Sequence, residues 1–171
     1  MPINGAPSDR ALNASLPRRK LTFVEQNAQA GDYYACINSR MHLHAVTVLV
    51  DDYDTAIHHY VDDLGFTLLE DTALSPSKRW VRVAPSEDGG SCLLLAQASN
   101  AQQQSMIGRQ GAGRVQFFLH VADFDAEFSR MRERRIHFIG EPRIEEYGKV
   151  IVFADRYGNL WDLVQPVERH D

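Results

Sequence analysis

VDDYDTAIHHYVDDLGF, residues 50–66, reads as the end of an apolar strand, a capped amphipathic helix and a glycine stop. Asp52 can accept hydrogen bonds from the first N–H groups of the helix, and Gly65 suits the left-handed residue that ends one. The apolar stripe between them has helical spacing and consists of Ile57, Tyr60, Val61 and Leu64, with His58 and His59 beside it expected in solvent. The stretch therefore predicts a strand-to-helix connection with a defined start and end.

The same order of elements occurs a second time. RVQFFLHVAD (114–123) leads into a helical pattern over about 124–134, as AVTVLVDD (45–52) does in the first half. Each half then closes on a glycine followed by an apolar strand, in GGSCLLLA (89–96) and YGNLWDLVQP (157–166). A repeat of this length is one supersecondary unit used twice. It predicts an α+β fold of two βαβββ repeats that form a curved mixed sheet around a concave cavity, with the helices outside.

Length and composition predict one domain with an N-terminal extension. The chain has 171 residues, of which 44% are apolar. Residues 1–40 are rich in Asn, Ala, Ser and Gln without a sustained period, and we expect a poorly ordered, dispensable extension there. Residues 41–171 are predicted to form the single domain, made of repeats 42–97 and 113–167. The stretch 97–113, with its Gln, Asn, Ser and Gly, is predicted to link them.

Charge and residue usage argue against several classes of partner. The formal net charge is −5, and residues 41–171 hold 13 Lys and Arg against 20 Asp and Glu. An acidic domain argues against nucleic acid as a partner. No apolar run approaches the ~20 residues that a membrane helix needs, so no membrane partner is predicted. The two cysteines form no disulfide framework, which favours a cytoplasmic location.

The two repeats resemble the vicinal oxygen chelate superfamily, which includes glyoxalase I, extradiol dioxygenases, fosfomycin-resistance enzymes and bleomycin-resistance proteins. The resemblance covers roughly residues 42–167. Its most specific pieces are residues 50–66 and FADRYGNLWDLVQP (153–166), which is similar to the family ending D-P-x-G-N-x-x-E-L. The resemblance implies the βαβββ fold and a homodimer, but not one activity, because this fold hosts isomerases, oxygenases, transferases and plain binding proteins.

The resemblance also implies a divalent metal, held by a His on each first strand and a carboxylate on the last strands. The corresponding positions here are Ala45, Leu94, Arg114 and Asp162. A guanidinium at a ligand position repels a metal ion, so we predict no cofactor and an ion pair between Arg114 and Asp162 inside the concavity. The alternative is a metal site of His44, His120 and Asp162, formed if a β-bulge turns His44 inward.

The function predicted from these positions is that of a small-molecule-binding protein or a metal-independent enzyme. The alternative is a divalent-metal enzyme of the glyoxalase, extradiol dioxygenase or fosfomycin-transferase type, and the enzyme class expected is a glyoxalase- or dioxygenase-like lyase or oxidoreductase. No catalytic residue can be assigned. Strand parity turns several side chains towards the cavity, and the predicted ligand-binding residues are Arg114, Asp162, Thr47, Gln116, Phe118 and His120. Trp161 and Cys92 are expected in the core.

Overall fold

The computed structural model describes residues 42–87 and 90–167. The N-terminal extension predicted over residues 1–40 lies outside these residues, so its disorder and its dispensability stay predictions. Within the described ranges, no helix is long and apolar enough to cross a lipid bilayer.

Two copies of strand, helix and three strands make up the described chain. The first contains β1 (Ala45–Val50), α1 (Tyr53–Ile57, continued by a π-helical segment His58–Asp63), β2 (Thr67–Ser75), β3 (Lys78–Ala84) and β4 (Cys92–Gln97). A short helix, α2 (Ala101–Met106), lies in the stretch that was predicted as a linker. The second contains β5 (Val115–His120), α3 (Phe124–Glu133), β6 (His137–Glu145), β7 (Gly148–Ala154) and β8 (Leu160–Pro166).

Each repeat folds into a four-stranded mixed sheet. The strand orders are β1-β4-β3-β2 and β5-β8-β7-β6, so the first and last strands of a repeat are neighbours. These two strands run parallel, with Ala45 opposite Cys92 in the first sheet, and the remaining pairs are antiparallel. The predicted pair of βαβββ repeats with mixed sheets is confirmed.

Both helices begin at the caps read from the sequence, and the first also ends at its predicted glycine. The Asp52 side chain accepts a hydrogen bond from the Thr55 N–H at 2.8 Å, and Asp123 accepts one from Ala126 at 3.0 Å. Gly65 follows the π-helical segment with φ of +77°, a conformation that glycine adopts without steric cost. These local signals place α1 and α3 on their sheets.

The buried face of α1 differs from the predicted stripe. Tyr60 and Leu64 are buried as expected, but Ile57 and Val61 are only partly buried. The π-helical segment, in which Leu64 N–H donates to the His59 carbonyl five residues back, rotates the helix surface. His59 is buried as a result, and the expectation that it lies in solvent is wrong.

One apolar cluster joins the two repeats. Tyr60 and Phe66 of the first repeat pack on Trp161 of the second, with ring centroids 6.4 and 5.9 Å from the indole. Phe153 stacks on the other side of Trp161 at 5.8 Å. Trp161 and Cys92 are both buried, as predicted. This packing fixes one face of each sheet and leaves the other face open.

Candidate functional site

The open face of the first sheet is set by strand alternation. Val48 and Leu95, which face the helix, are buried in the core. Thr47 therefore points to the open face, and its register partner Leu94 lies beside it. Arg82 pairs with Leu94 on the next strand and belongs to the same face.

A cavity of about 500 Å³ lies at this face. Its floor and walls come from β1, β3, β4, the start of α1 and the stretch that contains α2. The lining residues are Thr47, Leu49, Tyr53, Ser75, Ser77, Lys78, Arg79, Trp80, Leu94, Leu95, Ala96, Gln97, Ser99 and Gln103. The structure thus places Thr47 at a cavity wall, where its strand position predicts it. The lining combines an indole, apolar side chains, a few hydroxyl and amide groups and two basic residues, and such a mixture of apolar and polar groups is typical of small-molecule sites.

Arg79 shapes one wall of this cavity and its charge is already neutralised. Its guanidinium donates to Asp54 at 2.6 Å and, through Nε, to Asp71 at 2.8 Å. The hydrogen bonds to Asp71 and Asp54 raise the pKa of Arg79 above its ordinary value. The Tyr53 hydroxyl donates to the Arg79 carbonyl at 3.1 Å, which ties the start of α1 to β3. These bonds make the wall rigid, so Arg79 is a structural part of the cavity.

His44 takes part in a second polar cluster beside the open face. Arg82 Nη1 lies 2.9 Å from His44 Nε2, and Arg82 Nε donates to Glu70 at 3.0 Å. An arginine can only donate, so His44 Nε2 is an acceptor and the ring is neutral. Partial burial, followed by the charge of Arg82, lowers the pKa of His44. His44 directly precedes the first residue of β1, and its contact with Arg82 places its ring beside the open face of the first sheet.

The predicted ion pair between Arg114 and Asp162 is not formed. A bulge in β5 lies at Gln116, between the register pairs that begin with Val115 and Phe117. Asp162 lies opposite Phe118, four residues beyond Arg114, or ~13 Å along an extended strand. Arg114 is exposed and forms no ion pair among the described residues. The bulge in β5 and the register of β5 on β8 therefore keep Arg114 and Asp162 apart, although residue counting predicted that they are neighbours.

Asp162 instead lies on the open face of the second sheet near Arg143. The carboxylate is 6% exposed, and its Oδ1 has no hydrogen-bond partner within the described chain. Burial raises the pKa of Asp162, against an opposing effect of the Arg143 charge. Arg143 itself pairs with Glu145 at 2.9 Å. Sequence reasoning missed Arg143, since an irregularity between Ile139 and Arg143 sets its register and carries no sequence signal.

The predicted ligand-binding residues do not converge on one cavity. Thr47 lines the cavity of the first sheet, whereas His120 lines one of about 360 Å³ beside Phe66 and Arg130. Phe118 lines a third, of about 160 Å³, near Cys92. Their role in binding stays a prediction, but they do not form a single site within this chain.

A divalent metal does not fit the donor atoms that the described residues bring together. Ala45 and Leu94 have no ligand atoms, and His44 is engaged with Arg82. No group of three or more His, Cys, Asp and Glu side chains converges at ligand distance in residues 42–87 and 90–167. The alternative set of His44, His120 and Asp162 is therefore not assembled in the described part of this chain.

Comparisons with known proteins give the same family from sequence and from structure. A family model described as Glyoxalase/Bleomycin resistance protein/Dioxygenase superfamily matches residues 42–163. An uncharacterised protein of Shewanella frigidimarina is 47% identical over 121 residues, which are 70% of this chain and 90% of that protein. The uncharacterised protein YurT of Bacillus subtilis is 31% identical, over 73% of this chain and 99% of YurT.

Solved structures with the same fold include two that exceed one quarter in sequence identity. UcmS2 superposes with a TM-score of 0.64 and 26% identity, covering 74% of this chain and 98% of UcmS2. TnmS3 from Streptomyces sp. CB03234, described as an antibiotic binding protein, gives a TM-score of 0.59 and 27% identity, covering 76% and 99%.

Proposed function

Because the chain belongs to the Glyoxalase/Bleomycin resistance protein/Dioxygenase superfamily, known here as vicinal oxygen chelate proteins, we propose that it is a metal-independent small-molecule-binding protein. The ligand lies in the cavity on the open face of the first sheet. The observation that carries the proposal is this cavity of about 500 Å³, lined by an indole, aliphatic side chains, hydroxyl and amide groups, and the basic residues Lys78 and Arg79. The cytoplasmic location predicted from cysteine usage stays a prediction.

The chemistry of the lining favours binding over catalysis. No His, Cys, Asp or Glu is among the described residues that line the cavity, so thiol nucleophiles and the commonest general bases are absent from the lining, although Lys78 and Tyr53 belong to it. The guanidinium of Arg79 is neutralised by Asp54 and Asp71. The other polar groups of the lining, among them Lys78 and Gln103, can contact a ligand directly.

The side chains also indicate what kind of molecule fits. Trp80 offers an aromatic surface, and Leu49 and Leu94 offer apolar area. Thr47 adds a hydroxyl, and the Gln103 amide is held in place by hydrogen bonds from Ser99 N and Oγ at 2.8 and 2.9 Å. An aromatic, mainly apolar molecule with a few hydrogen-bonding groups matches this lining. Binding of an antibiotic is the activity stated for TnmS3, and it supports a ligand of this type.

Tryptophan fluorescence tests the proposal directly. The chain has two tryptophans, of which Trp80 lines the cavity and Trp161 is buried in the core. N-phenyl-1-naphthylamine, a neutral aromatic probe, and bleomycin are titrated separately into the protein. We expect at least the aromatic probe to bind at one site per chain, with Kd on the order of micromolar, and to quench the emission of Trp80.

A matched pair of variants locates the binding. Ala96→Phe fills the cavity and is expected to abolish binding, whereas Ala126→Phe, on the exposed surface of α3, should bind as the wild type does. Equal binding by both variants would place the ligand elsewhere. Saturable binding of neither probe would contradict the proposed function.

Metal analysis decides between this function and the metalloenzyme alternative. The purified protein is dialysed against zinc, iron, manganese and nickel in turn, and the bound metal is counted. We expect no stoichiometric metal. One metal per chain, lost in Asp162→Asn, would favour the glyoxalase, dioxygenase or fosfomycin-transferase type of activity instead.

A further inference from the structure

A further cavity, of about 210 Å³, is lined by arginines that have no ion-pair partner in the part of the chain that the structure describes. It lies where the end of α3 meets the turn between β7 and β8, and its residues are not those of the open-face cavity. Arg134, Arg135 and Arg156 line it, with His137 nearby. None of the three arginines forms an ion pair among the described residues, and neither do Arg109, Arg114 and Arg132, whereas Arg79, Arg82, Arg130 and Arg143 all do.

The acidic groups facing this cavity are already engaged by other partners. Asp63 lies 3.1 Å from His59 Nδ1. Asp155 is buried, and its carboxylate accepts hydrogen bonds from the side chains of Tyr60, Asn159 and Trp161 and from the N–H groups of Tyr157 and Asn159. Three arginines therefore line this cavity together with two carboxylates, of which Asp155 accepts five hydrogen bonds and Asp63 lies beside the His59 ring. The lining of this cavity thus has an excess of positive charge, although the whole chain has a formal net charge of −5.

The left-handed backbone conformation of Arg135 indicates that its side chain has a function. Arg135 has φ of +60°, a left-handed conformation that is costly for a residue with a Cβ. Gly65 occupies the matching position after the helix of the first repeat, with φ of +77°. Glycine would thus serve the helix end better, yet the second repeat has arginine there. Backbone strain that is kept in one of two equivalent positions suggests a function for that side chain.

Arg156 is held in place by a buried ring. Its backbone N–H donates to His59 Nε2 at 3.0 Å, and His59 is 6% exposed. Because His59 Nε2 accepts this bond, the neutral ring carries its proton on Nδ1 and donates it towards Asp63. The turn that carries Arg156 is therefore fixed beneath the cavity, while its side chain stays exposed.

We propose that this cavity binds a tetrahedral oxyanion, either free phosphate or the phosphate group of a small phosphorylated molecule. Planar guanidinium groups bind phosphate oxygens through paired hydrogen bonds, and three of them at one cavity supply both charge and geometry. The volume is suited to one such group rather than to a large ligand. This anion site is independent of the ligand proposed for the open-face cavity.

NMR titration with inorganic phosphate tests the site. Amide shifts are followed at constant ionic strength, with chloride replaced by phosphate. We expect saturable shifts at Arg134, Arg135, Arg156 and the His59 ring, with Kd on the order of millimolar for a single small anion. Arg156→Gln should weaken binding by about tenfold, since each charge-assisted hydrogen bond is a strong one.

Arg135→Gly separates binding from folding. It relieves the left-handed strain, so the melting temperature should rise or stay unchanged while phosphate binding weakens by about tenfold. Arg132→Gln is the matched control, because Arg132 lies on the same helix with its guanidinium 5.6 Å from the Phe128 ring and does not line the cavity. The control should bind phosphate as the wild type does.

Two results of the phosphate titration would overturn the proposal. Absence of saturable shifts, or the same loss in Arg132→Gln as in Arg135→Gly, would show only diffuse screening by surface charge. Glycerol 3-phosphate distinguishes the two sources of the anion. Binding as tight as that of phosphate or tighter identifies a phosphorylated molecule, and binding of inorganic phosphate alone identifies the free ion.

Discussion

Asp155 shows how a single residue of the family ending fixes the centre of the fold. It begins the turn DRYGN, and both of its carboxylate oxygens accept hydrogen bonds, five in all among the described residues. The Tyr60 hydroxyl donates at 2.7 Å from the other repeat, so the carboxylate joins the two halves. Burial raises the pKa of Tyr60 well above its ordinary value, which keeps that hydroxyl a donor at any physiological pH.

Asp155→Ala should lower the free energy of unfolding by about 3 to 5 kcal/mol, because it leaves several buried donors without an acceptor. Tyr60→Phe removes one of those donors and should cost about 1 kcal/mol. Urea unfolding gives both values. Asp62→Ala, at an exposed carboxylate that lies near His58, is the control and should change stability little. If Asp155→Ala lowers the free energy of unfolding no more than Asp62→Ala does, water has replaced the carboxylate as the acceptor for the five donors.

Unlike Asp155, Asp162 is a buried carboxylate with one oxygen, Oδ1, that has no hydrogen-bond partner among the described residues. Its pKa is raised by burial, so the folded state favours the protonated form. The contribution to stability is fully present below the unfolded pKa of about 3.8 and is lost as pH rises through the raised pKa of the folded state. Asp162→Asn has no such titration. It should therefore match the wild type in acid and exceed it at neutral pH, by on the order of 1 kcal/mol.

Urea unfolding at a series of pH values measures this difference. A variant that is less stable than the wild type at neutral pH would show that the Asp162 charge is favourable in the fold, through Arg143 or through a bound group. Such a result would be compatible with the metal alternative, because a carboxylate that binds a metal ion must be ionised.

At the scale of elements, the stretch between the repeats is more structured than its composition predicts. The Gln110 side chain accepts a hydrogen bond from Leu49 N at 2.8 Å and donates to the Thr47 carbonyl at 3.2 Å. It thus occupies the outer edge of β1 in place of a neighbouring strand, which protects an edge that could otherwise pair with another chain. Gly108 anchors the same stretch, as its backbone lies against the Tyr157 carbonyl.

Two glycines of this stretch form a matched test. A Cβ at Gly108 would lie 1.7 Å from the Tyr157 carbonyl oxygen, whereas one at Gly113 meets nothing within 4 Å. Both have positive φ, of +69° and +82°. Gly113→Ala should cost only the left-handed strain, about 1 to 2 kcal/mol, and Gly108→Ala clearly more. In hydrogen exchange, Gly108→Ala should also deprotect the Leu49 amide. Equal costs would show that the stretch moves away from Tyr157 without penalty.

At the scale of the whole molecule, the fold could be predicted because its signals are local and occur twice. The caps at Asp52 and Asp123, the stop at Gly65 and the apolar strands each act within a few residues. The candidate site depends on features that sequence does not reveal. The bulge at Gln116 and the register of β5 on β8 separate Arg114 from Asp162, and the π-helical segment buries His59. A shift of one residue in a strand exchanges its faces, so residue counting cannot place a site.

The homodimer predicted from the family resemblance leads to a test of the second sheet's open face. Phe118 and Ile139 lie on this face and are 64% and 44% exposed. Exposed apolar side chains of this size mark association surfaces, and a two-fold dimer would cover both copies of the face at once.

Sedimentation at micromolar concentration should give twice the chain mass of 19.4 kDa. Phe118→Ser with Ile139→Ser should then give the monomer, while Ile144→Ser, at a residue that is 76% exposed but on the opposite side of β6, should remain dimeric. A wild-type monomer would contradict the prediction, and dissociation by Ile144→Ser alone would move the interface to the outer side of β6.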